Sequence, residues 1–236
     1  MNIIKKWLSF ITQKKSTVQK RDAVDETSEE SFPASDARAW GSSKYAANLP
    51  ITENISPVEI LLNEHQLIMK VIYAMDELIE QLQDNKPVEI DALQNIIEFM
   101  RNFVDNCHHK KEDDVLFPAL EQSGANLSHC PLAAIKEEHK HSRELVINLA
   151  KGIDLYKQQT PSAKSNLINV MNQLTKLYPS LILKEENMIF PLVEKALNQG
   201  NQRRLLAQFK KIEEQLGPDY QLYFSQIVEQ LEHETR

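Results

Sequence analysis

The chain has 236 residues and a formal net charge of −7, enough for one core of about 150 residues with extensions. Its acidic balance argues against nucleic-acid binding, which needs a basic surface. Five glycines, ten prolines and 7% aromatic residues are few for a fold rich in strands and turns. Two cysteines cannot staple a secreted scaffold, and no apolar run approaches the roughly 18–20 residues that span a bilayer. An all-α protein of a reducing compartment, expected in the cytoplasm, is what remains.

The first 55 residues differ from the rest. Met1 to Arg21 carries six Lys or Arg and no acid, whereas Asp22 to Asp36 carries six acids and no base. Ile3, Ile4, Trp7, Leu8 and Ile11 share one face of a short helix, with Lys5, Lys6, Lys14 and Lys15 around it. Two readings stay open for residues 1–21: weak contact with an anionic membrane surface, or a segment frayed or docked on its own domain. Residues 22–55, without periodicity, read as a disordered linker.

From Ser56 onward the sequence punctuates into helices. Ser56-Pro57 supplies an N-cap and a proline at the first helical position. An apolar stripe follows through Leu61, Ile68, Ile72, Met75, Ile79 and Leu82, and Asp84–Pro87 breaks it. A second stripe runs Leu93, Ile97, Met100, Val104 and Val115 to Ser123-Gly124. The third starts near Cys130-Pro131 with Leu132, Ile135, Val146, Leu149 and Ile153. Thr160-Pro161 opens the fourth, with Leu167, Met171, Leu174, Ile189 and Leu192, ending at Asn198–Gly200. Two shorter helices over 201–216 and 218–234 are divided by Gly217-Pro218. Four long periodic segments with short connections predict an antiparallel four-helix bundle over residues 56–200, with 201–236 as a helical extension.

The chemistry lies where the stripes are interrupted. His65 sits between Leu61 and Ile68, His108 and Glu112 between Val104 and Val115, His139 four residues after Ile135, and Glu185 between Leu181 and Ile189. Residues four apart stack on one side of a helix, so all five face the interior. One interior histidine is usually a hydrogen-bonded core residue. Five ionisable groups on four helices are costly to bury without compensation, and imidazoles with carboxylates are what a metal centre in a bundle core requires. An internal repeat reinforces this: His108–Pro118 aligns with Leu181–Pro191, and Glu64-His65 with Glu138-His139.

On these residues the chain resembles the hemerythrin-like, or HHE cation-binding, family over roughly residues 56–200. The resemblance is carried by Glu64-His65, by His108 with Lys111-Glu112 and Leu116-Phe117-Pro118, by Glu138-His139, and by Lys184-Glu185-Glu186 with Ile189-Phe190-Pro191. It implies a di-iron centre in which His65 and His108 bind one iron, the third- and fourth-helix histidines bind the other, and Glu112 and Glu185 bridge. It also implies a protein that binds or senses dioxygen, responds to nitric oxide or peroxide, or handles iron.

The chain departs from that pattern at Leu181, where the family has histidine, and at Arg143, where longer hemerythrins have another. The expected cofactor is therefore iron, as a mono-iron or incomplete di-iron centre on His65, His108, Glu112, His139 and Glu185. Tyr178, His109, His141, His129, His233 and Lys110-Lys111 are expected to stand apart from it, His109 and the two lysines as solvated groups. No nucleophile elbow, phosphate loop or dinucleotide fingerprint is present; a binding or sensing module is expected ahead of an enzyme that uses the iron for peroxide or nitric oxide chemistry. The competing reading is a metal-poor bundle that serves as a scaffold.

Overall fold

Ser56 starts the first helix through a reciprocal cap. Its hydroxyl accepts the Glu59 backbone N–H at 3.1 Å, while the Glu59 carboxylate accepts the Ser56 N–H at 2.7 Å, so two of the donors orphaned at a helix start are paired. In the computed structural model the described residues are 55–235. The amphipathic segment and linker read in residues 1–54 lie outside the described residues.

Four long helical rods follow. The first is α1 (Pro57–Gln83). The second begins as α2 (Ile90–Glu98), winds through π-helical segments Phe99–His109 and Glu112–Leu116, and finishes as α3 (Phe117–Gln122). The third is α4 (Leu132–Lys157). The fourth is α5 (Ala163–Lys184), a π-helical turn Glu185–Ile189, and α6 (Phe190–Ala196). Two shorter helices, α7 (Gln199–Gln215) and α8 (Tyr220–Glu234), complete the chain. No strand occurs among the described residues, and none of their helices is long and apolar enough to cross a membrane.

The rods close on one another: α1 packs on α5, α5 on α4, α4 on α2, and the π-helical Phe99–His109 segment returns to α1. The core is aliphatic along its length, with Leu61, Ile68, Ile72, Met75, Val104, Ile135, Leu167, Met171 and Leu174 all buried. Two expected stripe positions shift by one residue. Ile97 and Leu192 are only half-buried, while their neighbours Ile96 and Val193 face the core.

The π-helical turn Glu185–Ile189 accounts for the second shift, and each of the two short π-helical turns, Glu112–Leu116 and Glu185–Ile189, runs directly into a Phe-Pro pair. Pro118 and Pro191 each follow a phenylalanine inside a continuous rod. A proline there has no N–H to donate, and its ring collides with the carbonyl four residues earlier. Opening the preceding turn to the wider winding relieves that collision. It also advances the buried face, so Ile189 is followed in the core by Val193. Such turns recur where a helix carries a functional site.

The two C-terminal helices pack on the bundle: α8 lies against α1 and α2, and α7 against α1 and the Glu112–Leu116 turn. Phe224 of α8 meets Phe99 at 6.0 Å and Phe103 at 5.5 Å between ring centroids, an edge-and-tilted arrangement that adds to area burial. Phe224→Ala is expected to lower stability by roughly 3–5 kcal/mol in denaturant unfolding. A loss below about 1 kcal/mol would mean that α8 is dispensable to the core.

Candidate metal centre

Glu112 and Glu185 meet at the middle of the bundle, each fully buried and each at the start of a π-helical turn. Around them stand His65 from α1, His108 from the second rod and His139 from α4, all buried. His65 Nε2 lies 3.2 Å from Glu185, and His108 Nε2 lies 3.5 Å from Glu112. His139 Nε2 lies 3.1 Å from Glu185 and 3.6 Å from Glu112. The structure thus brings together all five residues singled out in the sequence. Ligand atoms of four of them, His65, His108, Glu112 and Glu185, lie within 4.8 Å of one another.

Each histidine is held from behind. His65 Nδ1 is 3.1 Å from Glu186, His108 Nδ1 is 2.9 Å from Glu64, and His139 Nδ1 is 2.9 Å from Asp113. A carboxylate that accepts the Nδ1–H hydrogen bond fixes the ring and turns Nε2 inward, the arrangement that metal-ligating histidines use. Glu112 and Asp113 therefore divide the work of one turn, and Glu185 and Glu186 do the same on the other rod.

The electrostatics point the same way. Burial, then the neighbouring Glu185, Asp113 and Glu64 charges, push the Glu112 carboxyl well above its usual range. Burial alone would raise Glu185 too, but hydrogen bonds and charge from His139 and His65 outweigh it and hold Glu185 well below the carboxylate range. Burial favours neutral His65 and His139, and their carboxylate partners override it, raising each to about 9. The centre is short of positive charge, and it draws in protons to supply it.

Both Glu112 oxygens are buried without a hydrogen-bond partner, while His65 Nε2 faces Glu185 Oε2 at 3.2 Å. Unpaired buried acceptors are costly, and those of Glu112 lie among the three imidazoles. Two imidazole nitrogens with two carboxylates suit a divalent transition metal such as iron, so the residues fit the expected group. His139 is the fifth member, reached through Glu185 and Glu112.

The internal repeat is visible as matched pairs. His65–Glu186 corresponds to His139–Asp113, and the buried Lys111–Glu64 pair corresponds to Lys184–Glu138. The match fails at one place. His108 rests on Glu64, but the residue corresponding to His108 is Leu181, which is buried and cannot donate. Glu138 Oε2, cut off from solvent, has no hydrogen-bond partner. The carboxylate that would orient a fourth-rod histidine is present without its histidine.

Two expectations are corrected. His109 is not solvated: it is 1% exposed, its Nδ1 lies 3.8 Å from Asp105, and its ring is stacked on His139 at 3.9 Å. Lys111 is not solvated either; its side chain is fully buried between Glu64 and Glu213. Both lie in or beside the π-helical segments of the second rod, whose wider winding turns extra positions inward. Burial and the nearby His139 hold the His109 pKa down near 3. Tyr178 is packed in the core beside His109, its hydroxyl on Ser142, as expected of a packing residue. His141, His129 and His233 are exposed. Arg143 pairs with Asp105 at 2.8 Å, and the Cys107 thiol is buried, its pKa pushed up to about 12 chiefly by that burial.

Comparison with known proteins agrees with this geometry. The model of the hemerythrin HHE cation-binding domain matches residues 56–193. The chain belongs to that family. Uncharacterized proteins of Mycobacterium tuberculosis and Mycobacterium bovis are each 21% identical over 144 residues, 61% of this chain and 56% of theirs. The chain therefore spans little more than half the length of those relatives. No solved structure matches it.

Because Glu112 is crowded by like charge, Glu112→Gln is expected to melt no lower than the parent in the presence of a chelator. The same change should abolish the rise in melting temperature that added metal produces in the parent. A variant that still gains the parent's metal-induced shift would remove Glu112 from the centre.

Proposed function

We propose that this HHE-domain protein is an iron-binding module that senses, binds or stores dioxygen, nitric oxide or iron through a partial di-iron site. In this reading the four rods form the family's antiparallel bundle over residues 56–200, residues 201–236 are a helical extension, and residues 1–55 are a separate N-terminal segment. The supporting observation is the buried set His65, His108, Glu112 and Glu185, with ligand atoms within 4.8 Å of one another and both imidazoles oriented by outer carboxylates. Iron held by His65, His108, Glu112 and Glu185 would supply redox chemistry toward a small diatomic molecule.

The chain's own residues divide three tasks. His65 and His108 direct nitrogen lone pairs inward, Glu112 and Glu185 supply the negative charge, and the aliphatic core excludes bulk water. His139 serves the second position, which Leu181 leaves incomplete. One strongly held iron per chain follows, with a weak or empty second position.

A metal-poor scaffold is the second reading. It is favoured by Leu181 and by the contacts through which His65 and His139 already neutralise Glu185. Iron content separates the two. Protein purified from iron-rich growth is expected to carry about one iron per chain; two firmly held irons would contradict the Leu181 argument, and none would favour the scaffold.

Leu181→His is expected to place a donor near the unpaired Glu138 oxygen and to raise iron uptake toward two per chain. In the metal-free form, burying the new polar ring should cost roughly 1–3 kcal/mol. A variant that takes up no more iron than the parent would show that residue 181 does not face the second position.

A further inference from the structure

We propose that helix α7, outside the family match, is part of the metal site: its Glu213 and Phe209 hold Lys111 against Glu64, and Glu64 holds His108. The inference rests on the iron-binding reading above and gives the C-terminal extension a task within it.

The contacts form an unbroken line. Glu213 Oε1 accepts from Lys111 Nζ at 2.6 Å, and the same ammonium donates to Glu64 Oε1. The other Glu64 oxygen accepts from His108 Nδ1 at 2.9 Å. Phe209, one turn before Glu213 on α7, lies 5.6 Å beneath the Lys111 ammonium and closes it from solvent. Lys111 is fully buried, while Glu213 is 20% exposed at the outer end of the line.

Each member limits the next. A lone buried ammonium beside one carboxylate keeps spare donors and can shift along it. A second carboxylate on the far side fixes the ammonium, which then occupies one Glu64 oxygen and leaves the other for the imidazole. The ring of His108 is thereby set with Nε2 toward Glu112. Outer partners of this kind act on metal affinity through orientation and charge rather than through contact with the metal.

The repeat supplies an internal comparison. Lys184 and Glu138 form the corresponding pair, yet they are 31% and 27% exposed, and among the described residues no second carboxylate reaches Lys184. That is the half in which leucine replaces histidine. The extension thus reinforces the half that keeps its ligand. Glu213, Lys111 and Glu64 are positioning residues in this scheme.

The test is cobalt(II) binding to the full chain, measured by chelator competition and by the visible absorption of the bound ion, beside the melting temperature of the metal-free protein. Glu213→Gln and Lys111→Gln are expected to weaken cobalt binding by about 10-fold or more and to alter the absorption bands. Glu213→Gln, at the partly exposed end, should leave metal-free melting within a few degrees of the parent, and it decides the matter alone if Lys111→Gln does not fold. Lys184→Gln should leave affinity and spectrum unchanged. If Glu213→Gln binds cobalt as the parent does while His108→Ala does not, the proposed line of contacts is wrong and the metal-binding reading stands. A loss of affinity matched by an equal collapse of metal-free melting would overturn the positioning role. If the parent itself binds no cobalt, both readings fall.

Discussion

Two carboxylates, Glu112 and Glu185, are forced together in a water-free interior, and the rest of the bundle is arranged to make that tolerable. Like charges at close range in a low-dielectric core repel strongly. Three imidazoles converge on the pair, and each is backed by a further carboxylate, Glu186, Glu64 or Asp113. The residual cost is written in the acceptors of Glu112, buried and without partners. A divalent cation among His65, His108, Glu112 and Glu185 would offset the charge that protons offset only in part, and binding it would also relieve the repulsion.

The two halves of the chain build this site from matched parts, and their difference matters more than their likeness. On the side of His65 and His108 the ligands, their outer carboxylates and the buried Lys111 are complete. On the side of His139 the outer carboxylate Glu138 remains while Leu181 stands where a ligand belongs. His109 adds a further buried imidazole on that side, stacked face to face with His139. With nearly parallel planes, the two rings cannot both direct an in-plane lone pair at one ion in this arrangement. His109 therefore does not replace the missing ligand in the observed geometry. The structure thus gathers one group of four ligand-type side chains, His65, His108, Glu112 and Glu185, with His139 beside it and leucine at the position that matches His108.

Much of this was legible in the amino-acid order. Local signals determine where helices start and stop, because caps, prolines and short polar breaks act within a few residues: Ser56-Pro57 opens α1 and Asp84–Pro87 closes it. Apolar neighbours three and four residues away placed His65, His108, Glu112, His139 and Glu185 in the interior, and all five are buried, although His108, Glu112 and Glu185 lie in π-helical segments. The repeat aligns Asp113 with Glu186 and Lys111 with Lys184, but their pairing with His139, His65, Glu64 and Glu138 emerges only in the fold.

Tertiary structure decided the rest, for two physical reasons. The π-helical turns change the winding itself, so a pattern read at constant period places His109 and Lys111 one step out, in solvent, when both are buried. The Phe-Pro pairs mark the two short turns, Glu112–Leu116 and Glu185–Ile189, whereas no proline lies in Phe99–His109, where His109 sits. Contacts between distant segments are the second reason. Nothing local links Glu213 to Lys111 or Phe224 to Phe99, because these pairings depend on how α7 and α8 dock across the bundle. The sequence by itself determined the helices and placed these five polar side chains in the interior, because both follow from local signals and periodicity; only the folded chain decided which neighbours hold them in place.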